Sequence, residues 1–165
     1  MQVSDDSDQM LAHNHVFQKL NMTDDSHRVC ILNNNPFIGE KIICDSYELA
    51  KLVNFEVVTL DCAKVEADYL FYRQYQKIDG LMRVKFKEEH LKAQNNRQLQ
   101  EVLFSPVNNV VWGKPSYFID RETYKTKILK EGFNPYILNK TSNFDLDDEE
   151  DWEIAEAYMR SILEK

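Results

Sequence analysis

The stretch RVCILNNNPFIGEKIICDSYELAKLVNFEVVTL, residues 28–60, decides the fold. It opens with the short apolar run 28–32, which is typical of a buried strand, and continues into the polar loop 33–39. Residues 40–52 have apolar side chains at helical spacing, and the β-branched run 55–60 predicts a second strand. A strand, a helix and a strand in this order predict a right-handed parallel crossover. We therefore expect an α/β fold with a mainly parallel sheet.

The loop 33–39 is a candidate binding site because of its position in this fold. In open α/β sheets, ligands bind at the carboxyl ends of the strands, and this loop directly follows one such end. The side-chain amides of Asn33 and Asn35 can hydrogen-bond a sugar. The alternative is that the loop is an ordinary connecting turn.

A second informative stretch is NFDLDDEEDW, residues 143–152. Asp145 and Asp147 stand two apart, so in extended backbone their carboxylates project to the same side, an arrangement that suits Mg²⁺ also in contact with a phosphate. Helical spacing follows and predicts a final helix from about residue 148 to 163. In the alternative interpretation Asp147 is the N-cap of that helix, Glu150 completes a capping box, and the acids serve the helix dipole.

Composition and charge set outer bounds on the function. The 165 residues are 43% hydrophobic, which predicts a single domain, residues 1–165, with a substantial core. The formal charge of -8 argues against nucleic-acid binding. The sequence has no apolar run long enough to cross a membrane, and its first residues are polar and acidic rather than a signal peptide. We therefore expect a cytoplasmic protein that does not bind membranes.

The middle of the chain is rich in aromatic residues. Tyr69, Phe71, Tyr72 and Tyr75 precede Asp79-Gly80, which predicts a hairpin turn with a returning strand over 81–86. These rings could stack on a ligand, but so many aromatics more often pack in a core or an interface between copies. We expect a protruding β-hairpin that forms the dimerisation region of a homodimer.

The run FDLDDEEDWEIAE, residues 144–156, resembles the carboxyl-terminal signature of the acylneuraminate cytidylyltransferases, which activate acidic nine-carbon sugars as CMP esters. The segments VWGK at 111–114 and YFI at 117–119 resemble the pseudaminic acid branch more than the sialic acid branch. The resemblance implies a nucleotide-diphospho-sugar transferase-like (Rossmann-like) fold, with CTP and the sugar as substrates. It also implies that Asp145 and Asp147 bind the catalytic Mg²⁺.

The same resemblance implies further substrate-binding residues. In the family an arginine and a glutamine follow the hairpin and belong to the substrate site, and Arg97 and Gln98 match them. An arginine fork suits a sugar carboxylate or a phosphate, although a solvated surface charge is the alternative. The family's loop at 33–39 faces the nucleotide and the sugar. Pro36 and Phe37 fit that loop, whereas three asparagines replace its hydroxyl residues.

The resemblance extends over residues 4–163 of the chain but matches only the later two-thirds of the family. The family opens with a loop of glycine, serine, arginine and lysine that holds the triphosphate of CTP. The four glycines of this chain are isolated and form no such loop. Two hypotheses follow. In the first, the anomeric hydroxyl of the sugar attacks the α-phosphate of CTP, pyrophosphate leaves, and a separate chain supplies the phosphate loop. In the second, the chain is a non-catalytic truncated homologue or partner subunit that keeps the fold and the dimer surface.

Overall fold

The computed structural model describes residues 9–65, 74–94, 102–140 and 142–164. The chain divides into two compact units, one made of Met1–Cys62 and Val107–Lys165 and the other of Ala63–Pro106. Its helices and strands are, in chain order, α1 Gln9–Lys19, β1 Val29–Leu32, α2 Glu40–Leu52, β2 Thr59–Lys64, β3 Tyr75–Ile78, β4 Leu81–Val84, α3 Lys87–Gln94, β5 Phe104–Gly113, a 3₁₀ helix Pro115–Phe118, α4 Arg121–Glu131, β6 Asn134–Ile137 and α5 Glu149–Leu163.

The main sheet has four strands in the order β1-β5-β2-β6. β1 pairs with β5 in antiparallel register, from Val29 opposite Gly113 to Leu32 opposite Val110. β2 and β6 form the one parallel pair of this sheet within the described ranges. The fold is therefore α/β as expected, but the expectation of a mainly parallel sheet is wrong. β5 lies between β1 and β2 and is antiparallel to both of them. The two strands of the crossover, β1 and β2, therefore point the same way but are not neighbours.

The core of the first unit lies where β1, β2 and β5 meet α1 and the 3₁₀ helix. Phe118 is fully buried, and its ring leaves so little room at Gly113 that a Cβ there would lie 2.9 Å from it. Gly113 is thus needed for close packing. The buried members of this cluster are Phe17, Val29, Ile31, Val58, Leu60, Val111, Tyr117 and Phe118.

The start of β2 differs from the sequence-based expectation. The β-branched run 55–60 predicted a strand from residue 55, whereas β2 is Thr59–Lys64. Asn54 and Phe55 have positive φ values of 50° and 56°, which form a turn after α2. The Phe55 ring is nevertheless buried, 5.8 Å from the ring of Tyr47 between centroids. Burial of this aromatic side chain, not strand pairing, accounts for the apolar start of the run.

The second unit contains the predicted hairpin. β3 and β4 pair antiparallel with Ile78 opposite Leu81, and the turn between them has φ values of 51° at Asp79 and 78° at Gly80. Two consecutive residues with positive φ make the turn that matches strand twist, which is why the Asp-Gly pair predicted it. The hairpin is therefore confirmed, while the aromatic residues at 69, 71 and 72 lie outside the described residues. Among the helices of the described chain, none has the length and apolar character needed to span a membrane.

Candidate functional site

Residues 142–152, here called the acidic segment, are held at their start by hydrogen bonds from asparagine amides. Two of these asparagines lie in the loop after β1, and the third lies in β5. Asn34 Nδ2 donates to the Leu146 carbonyl at 2.6 Å, and Asn35 Nδ2 donates to the Ser142 carbonyl at 2.8 Å. From β5, Asn109 Nδ2 donates to the Phe144 carbonyl at 3.1 Å. We call these three residues the amide clamp. All three contacts are made to backbone oxygens, so the clamp holds the backbone of this segment and makes no hydrogen bond to its carboxylates.

Asn33 and Asn35, both predicted to bind substrate, have protein partners. Asn35 is 7% exposed, and its Oδ1 also accepts the amide of Phe37 at 2.8 Å, so that both ends of its amide are used. Asn33 Nδ2 donates to the Asn108 carbonyl at 2.5 Å, and its Oδ1 accepts from Gln9 at 3.1 Å. Both residues thus take part in tertiary structure at the end of β1, and their role toward a substrate stays a prediction.

Asp145 and Asp147 lie on the exposed side of the clamped segment. Residues 143, 145 and 147 are exposed and alternate with half-buried Phe144 and Leu146, which is the pattern of an extended chain with one side against the protein. Phe144 anchors that inner side, with its ring 5.4 Å from the Phe37 ring between centroids. The Asp145 carboxylate accepts the neighbouring Leu146 amide at 3.1 Å. Within the described ranges, no hydrogen bond engages the Asp147 carboxylate.

The helix cap belongs to Asp148, so the interpretation of Asp147 as N-cap with Glu150 is wrong. Asp148 Oδ1 accepts the Asp151 amide at 2.9 Å, and Asp151 Oδ2 accepts the Asp148 amide at 3.3 Å, which completes a capping box. Three consecutive acids occupy the first turn of α5 and favour the positive end of its dipole. Because Asp148 is the N-cap, the Asp147 carboxylate neither caps α5 nor accepts a hydrogen bond from any described residue.

The carboxylates of Asp145 and Asp147 suit a magnesium ion whose other ligands are phosphate oxygens and water. Among the described residues, no group of three or more His, Cys, Asp or Glu side chains is arranged to hold a metal. Mg²⁺ is commonly held by one or two carboxylates, with phosphate oxygens and water completing its octahedron. Asp145 and Asp147 fit that requirement in number and chemistry, and do not fit a dedicated all-protein metal cage.

A buried carboxylate near the clamp was not identified from the sequence. Asp61, in the middle of β2, is fully buried; its Oδ1 accepts the Val110 amide at 3.0 Å, and its Oδ2 has no partner among the described residues. Burial raises the pKa of Asp61, against the lowering effect of nearby β5 amides. Burial, and then the charge of Asp61, raise the pKa of Tyr124 to about 12. The sequence feature that indicates this buried carboxylate is an aspartate inside the otherwise uncharged, mainly apolar run 57–63.

Arg97 and Gln98 lie outside the described residues, and their assignment to a substrate site stays a prediction. A comparison of the sequence with protein-family models gave no match, and a comparison with curated proteins gave none either.

Proposed function

We propose that the chain is a nucleotidyltransferase module of nucleotide-diphospho-sugar transferase-like (Rossmann-like) type that transfers CMP from CTP to an acidic nine-carbon sugar in the cytoplasm. The observation that carries the proposal is that the segment with Asp145 and Asp147 is clamped beside the loop after β1 with both carboxylates exposed. Ligands of α/β sheets bind at such strand ends. The assignment of the helix cap to Asp148 removes the main structural explanation for Asp147.

In this proposal each part of the site has one task. Asp145 and Asp147 hold Mg²⁺, which when bound neutralises charge on the phosphates of CTP. The amide clamp keeps the backbone of the segment in one position, so that the two carboxylates are oriented before a ligand arrives. Arg97 and Gln98, which lie outside the described residues, are assigned to sugar binding by the resemblance, and a guanidinium suits a sugar carboxylate or a phosphate.

The test is pyrophosphate release from CTP in the presence of Mg²⁺ and an acidic nine-carbon sugar, with the chain alone and with a polypeptide that carries a glycine, arginine and lysine phosphate loop. Asp145→Asn should lower the rate by about 100-fold or more, because it removes a metal ligand. It should cost less than about 1 kcal/mol of stability, since the side chain is an exposed acid near a helix start. Glu150→Gln, an exposed acid of α5 outside the pair, is the matched control and should leave the rate unchanged.

A second candidate, a non-catalytic partner subunit, is favoured by the full use of the Asn35 amide in protein contacts. A loop of this kind supports the fold without a ligand. Electron paramagnetic resonance of Mn²⁺ separates the two candidates. Binding that is lost in both Asp145→Asn and Asp147→Asn supports the enzyme. A folded chain that binds no Mn²⁺ and releases no pyrophosphate under either condition supports the partner subunit.

A further inference from the structure

Asp61 is hydrogen-bonded to the middle of β5, at a point where that strand departs from regular geometry. Asp61 Oδ1 accepts the Val110 amide at 3.0 Å. Two residues earlier, Asn108 has a φ of 63°, a left-handed conformation that few non-glycine residues adopt. A left-handed residue inside a strand is typical of a β-bulge, which interrupts the ladder of backbone hydrogen bonds. The buried carboxylate therefore supplies an acceptor to β5 beside this bulge.

Residues 108–110 of β5 also hold the loop after β1 and the acidic segment. The Asn108 carbonyl accepts from Asn33 Nδ2 at 2.5 Å, and Asn109 Nδ2 donates to the Phe144 carbonyl at 3.1 Å. Asn109 is 1% exposed, so this contact is made in the interior. The Val110 amide belongs to the peptide group that follows Asn109. The hydrogen bond to Asp61 and the hydrogen bond to Phe144 are therefore made from adjacent positions of the same strand.

The second oxygen of Asp61 has no hydrogen-bond partner among the described residues. Oδ2 is closed off from solvent, in a side chain that is 0% exposed. A buried carboxylate oxygen without a donor is costly, whereas a protonated carboxyl group carries no charge to bury. Protonation of Oδ2 therefore removes the charge of Asp61 without breaking a hydrogen bond that the structure shows.

Two titratable groups on β2 and α4 lie close to this carboxyl group. Cys62 follows Asp61 in β2, and burial, then the charge of Asp61, raise the pKa of its thiol. Burial, and then the charge of Asp61, raise the pKa of Tyr124 on α4 to about 12. Both groups therefore stay uncharged between about pH 4 and about pH 8, the range in which a carboxyl group with a raised pKa changes its charge.

On the side of β6 and α2, the neighbouring titratable groups are engaged with one another. Tyr136 lies opposite Asp61 in the strand register. Burial, and then the charge of Asp45, raise the pKa of Tyr136, so its hydroxyl also stays uncharged in this range. Asp45 on α2 is ion-paired with Lys41. Of the titratable groups named around residues 108–110, Asp61 is thus the one whose charge follows the pH.

We propose that Asp61 is a buried proton switch that sets how firmly β5 holds the acidic segment. The ionised carboxylate makes a charge-assisted hydrogen bond to the Val110 amide, which keeps residues 108–110 in the bulged conformation and Asn109 against Phe144. A proton on Oδ2 removes the charge and weakens that bond, so that the contact between Asn109 and Phe144 loosens as the pH falls. The inference does not depend on the proposed nucleotidyltransferase activity.

The experiment is a pH titration, from about 4 to about 8, of the ¹³C,¹⁵N-labelled chain followed by NMR. The side-chain carboxyl carbon of Asp61 gives the midpoint of its protonation. The Val110 amide, the Asn109 side-chain amide and the Phe144 carbonyl carbon report on the contacts in the order in which the switch acts on them. We expect all three signals to shift with the midpoint of Asp61, which should lie above the unfolded value of about 4.

Three variants separate the steps. Asp61→Asn keeps an oxygen for the Val110 amide but cannot ionise, so the shifts that follow Asp61 should disappear. Asp120→Asn, at the N-cap of α4, is the matched control and should leave those shifts unchanged. In Asn109→Ala the Val110 amide should still titrate with Asp61, while the Phe144 carbonyl should no longer follow it.

The parent chain alone can overturn the proposal, so the test does not require that every variant folds. It is overturned if the Phe144 carbonyl carbon does not shift with the midpoint of Asp61, or if that midpoint lies at or below about 4. It is also overturned if the Phe144 shift persists in Asp61→Asn or in Asn109→Ala, because the acids near Phe144 would then be its cause.

Discussion

Asp61 couples the stability of the fold to pH. Its carboxylate is fully buried, and burial raises its pKa above the usual value for aspartate. A carboxyl group with a raised pKa in the folded state binds its proton more tightly there than in the unfolded chain. Its contribution to stability is therefore complete below the unfolded value of about 4 and is lost as the pH rises through the folded value.

We expect Asp61→Asn to gain stability relative to the parent chain as the pH is raised from about 4 to about 8, because asparagine has no charge to bury. Its side-chain oxygen can still accept the Val110 amide. Urea unfolding at a series of pH values measures the difference. A difference that stays constant with pH would contradict this account.

Asp120 provides a control of opposite sign for that experiment. Hydrogen bonds from the Thr123 amide and hydroxyl hold the pKa of Asp120 below its usual value. Its contribution to stability is present above the unfolded pKa and is lost as the pH falls through the folded value. Asp120→Asn should therefore be less stable than the parent chain at neutral pH, with a deficit that shrinks in acid.

Asn35 should be the most costly member of the amide clamp to remove. Asn35→Ala leaves the Ser142 carbonyl and the Phe37 amide without their partners in a buried setting, and we expect a loss of about 2 kcal/mol or more. Asn34→Ala removes one contact at an exposed side chain and should cost less than about 1 kcal/mol. Urea unfolding at neutral pH compares the two, and equal losses would show that burial does not set their cost.

The amide clamp shows which properties of single residues the sequence can predict and which it cannot. The run 28–32 and the following asparagines were enough to predict a polar loop at a strand end. They could not indicate which oxygens the amides meet, because the partner of Asn34 lies 112 residues further along the chain. The capping aspartate was misjudged by one position for a related reason. Asp147 and Asp148 are chemically identical, and only the backbone conformation at 148 decides between them.

At the scale of elements, the α5 cap gives a direct comparison of neighbouring aspartates. Asp148→Ala removes the acceptor of the Asp151 amide and should destabilise the chain by about 1 kcal/mol. Asp147→Ala removes an exposed carboxylate with no role in the cap and should change stability by less than about 0.5 kcal/mol. Thermal unfolding followed by circular dichroism measures both. A larger loss of stability in Asp147→Ala than in Asp148→Ala would indicate that Asp147, not Asp148, caps α5.

Elements defined by local pattern were predicted well, and those defined by distant contacts were not. α2 spans residues 40–52 as expected, because its helical spacing and the loop before it lie in one continuous stretch. β2 was misplaced because Phe55 is apolar for a different reason, namely burial against Tyr47 after a left-handed turn. Propensity does not distinguish a residue buried in a turn from one buried in a strand.

For the whole molecule, the position of β5 in the sheet decided how far the topology could be predicted. The order strand, helix, strand correctly indicated that β1 and β2 point the same way. Nothing in residues 28–60 indicated that β5, far along the chain, would lie between them. A polar or apolar pattern specifies which face of a strand is buried, but not which strand becomes its neighbour.

The expected homodimer is also a property of the whole chain. Met82 on β4 is 65% exposed, and we expect it to lie in the interface between copies. Met82→Glu should convert a dimer into a monomer in sedimentation velocity at tens of micromolar, roughly the range in which weak interfaces form. Leu129→Glu on α4, where the side chain is 85% exposed, is the matched control and should leave the dimer intact. A parent chain that sediments as a monomer would contradict the expectation.

The amide clamp has a consequence for ionic strength. Its donors are uncharged amides and its acceptors are backbone carbonyls, so dissolved salt does not screen these contacts as it screens an exposed ion pair such as Lys41 with Asp45. The acidic segment should therefore keep its position in dilute and in concentrated salt, and whether its aspartates are charged or neutral. If cation binding to Asp145 and Asp147 weakens with added salt, the cause is then screening of the carboxylate charges. It is not a movement of the backbone that carries them.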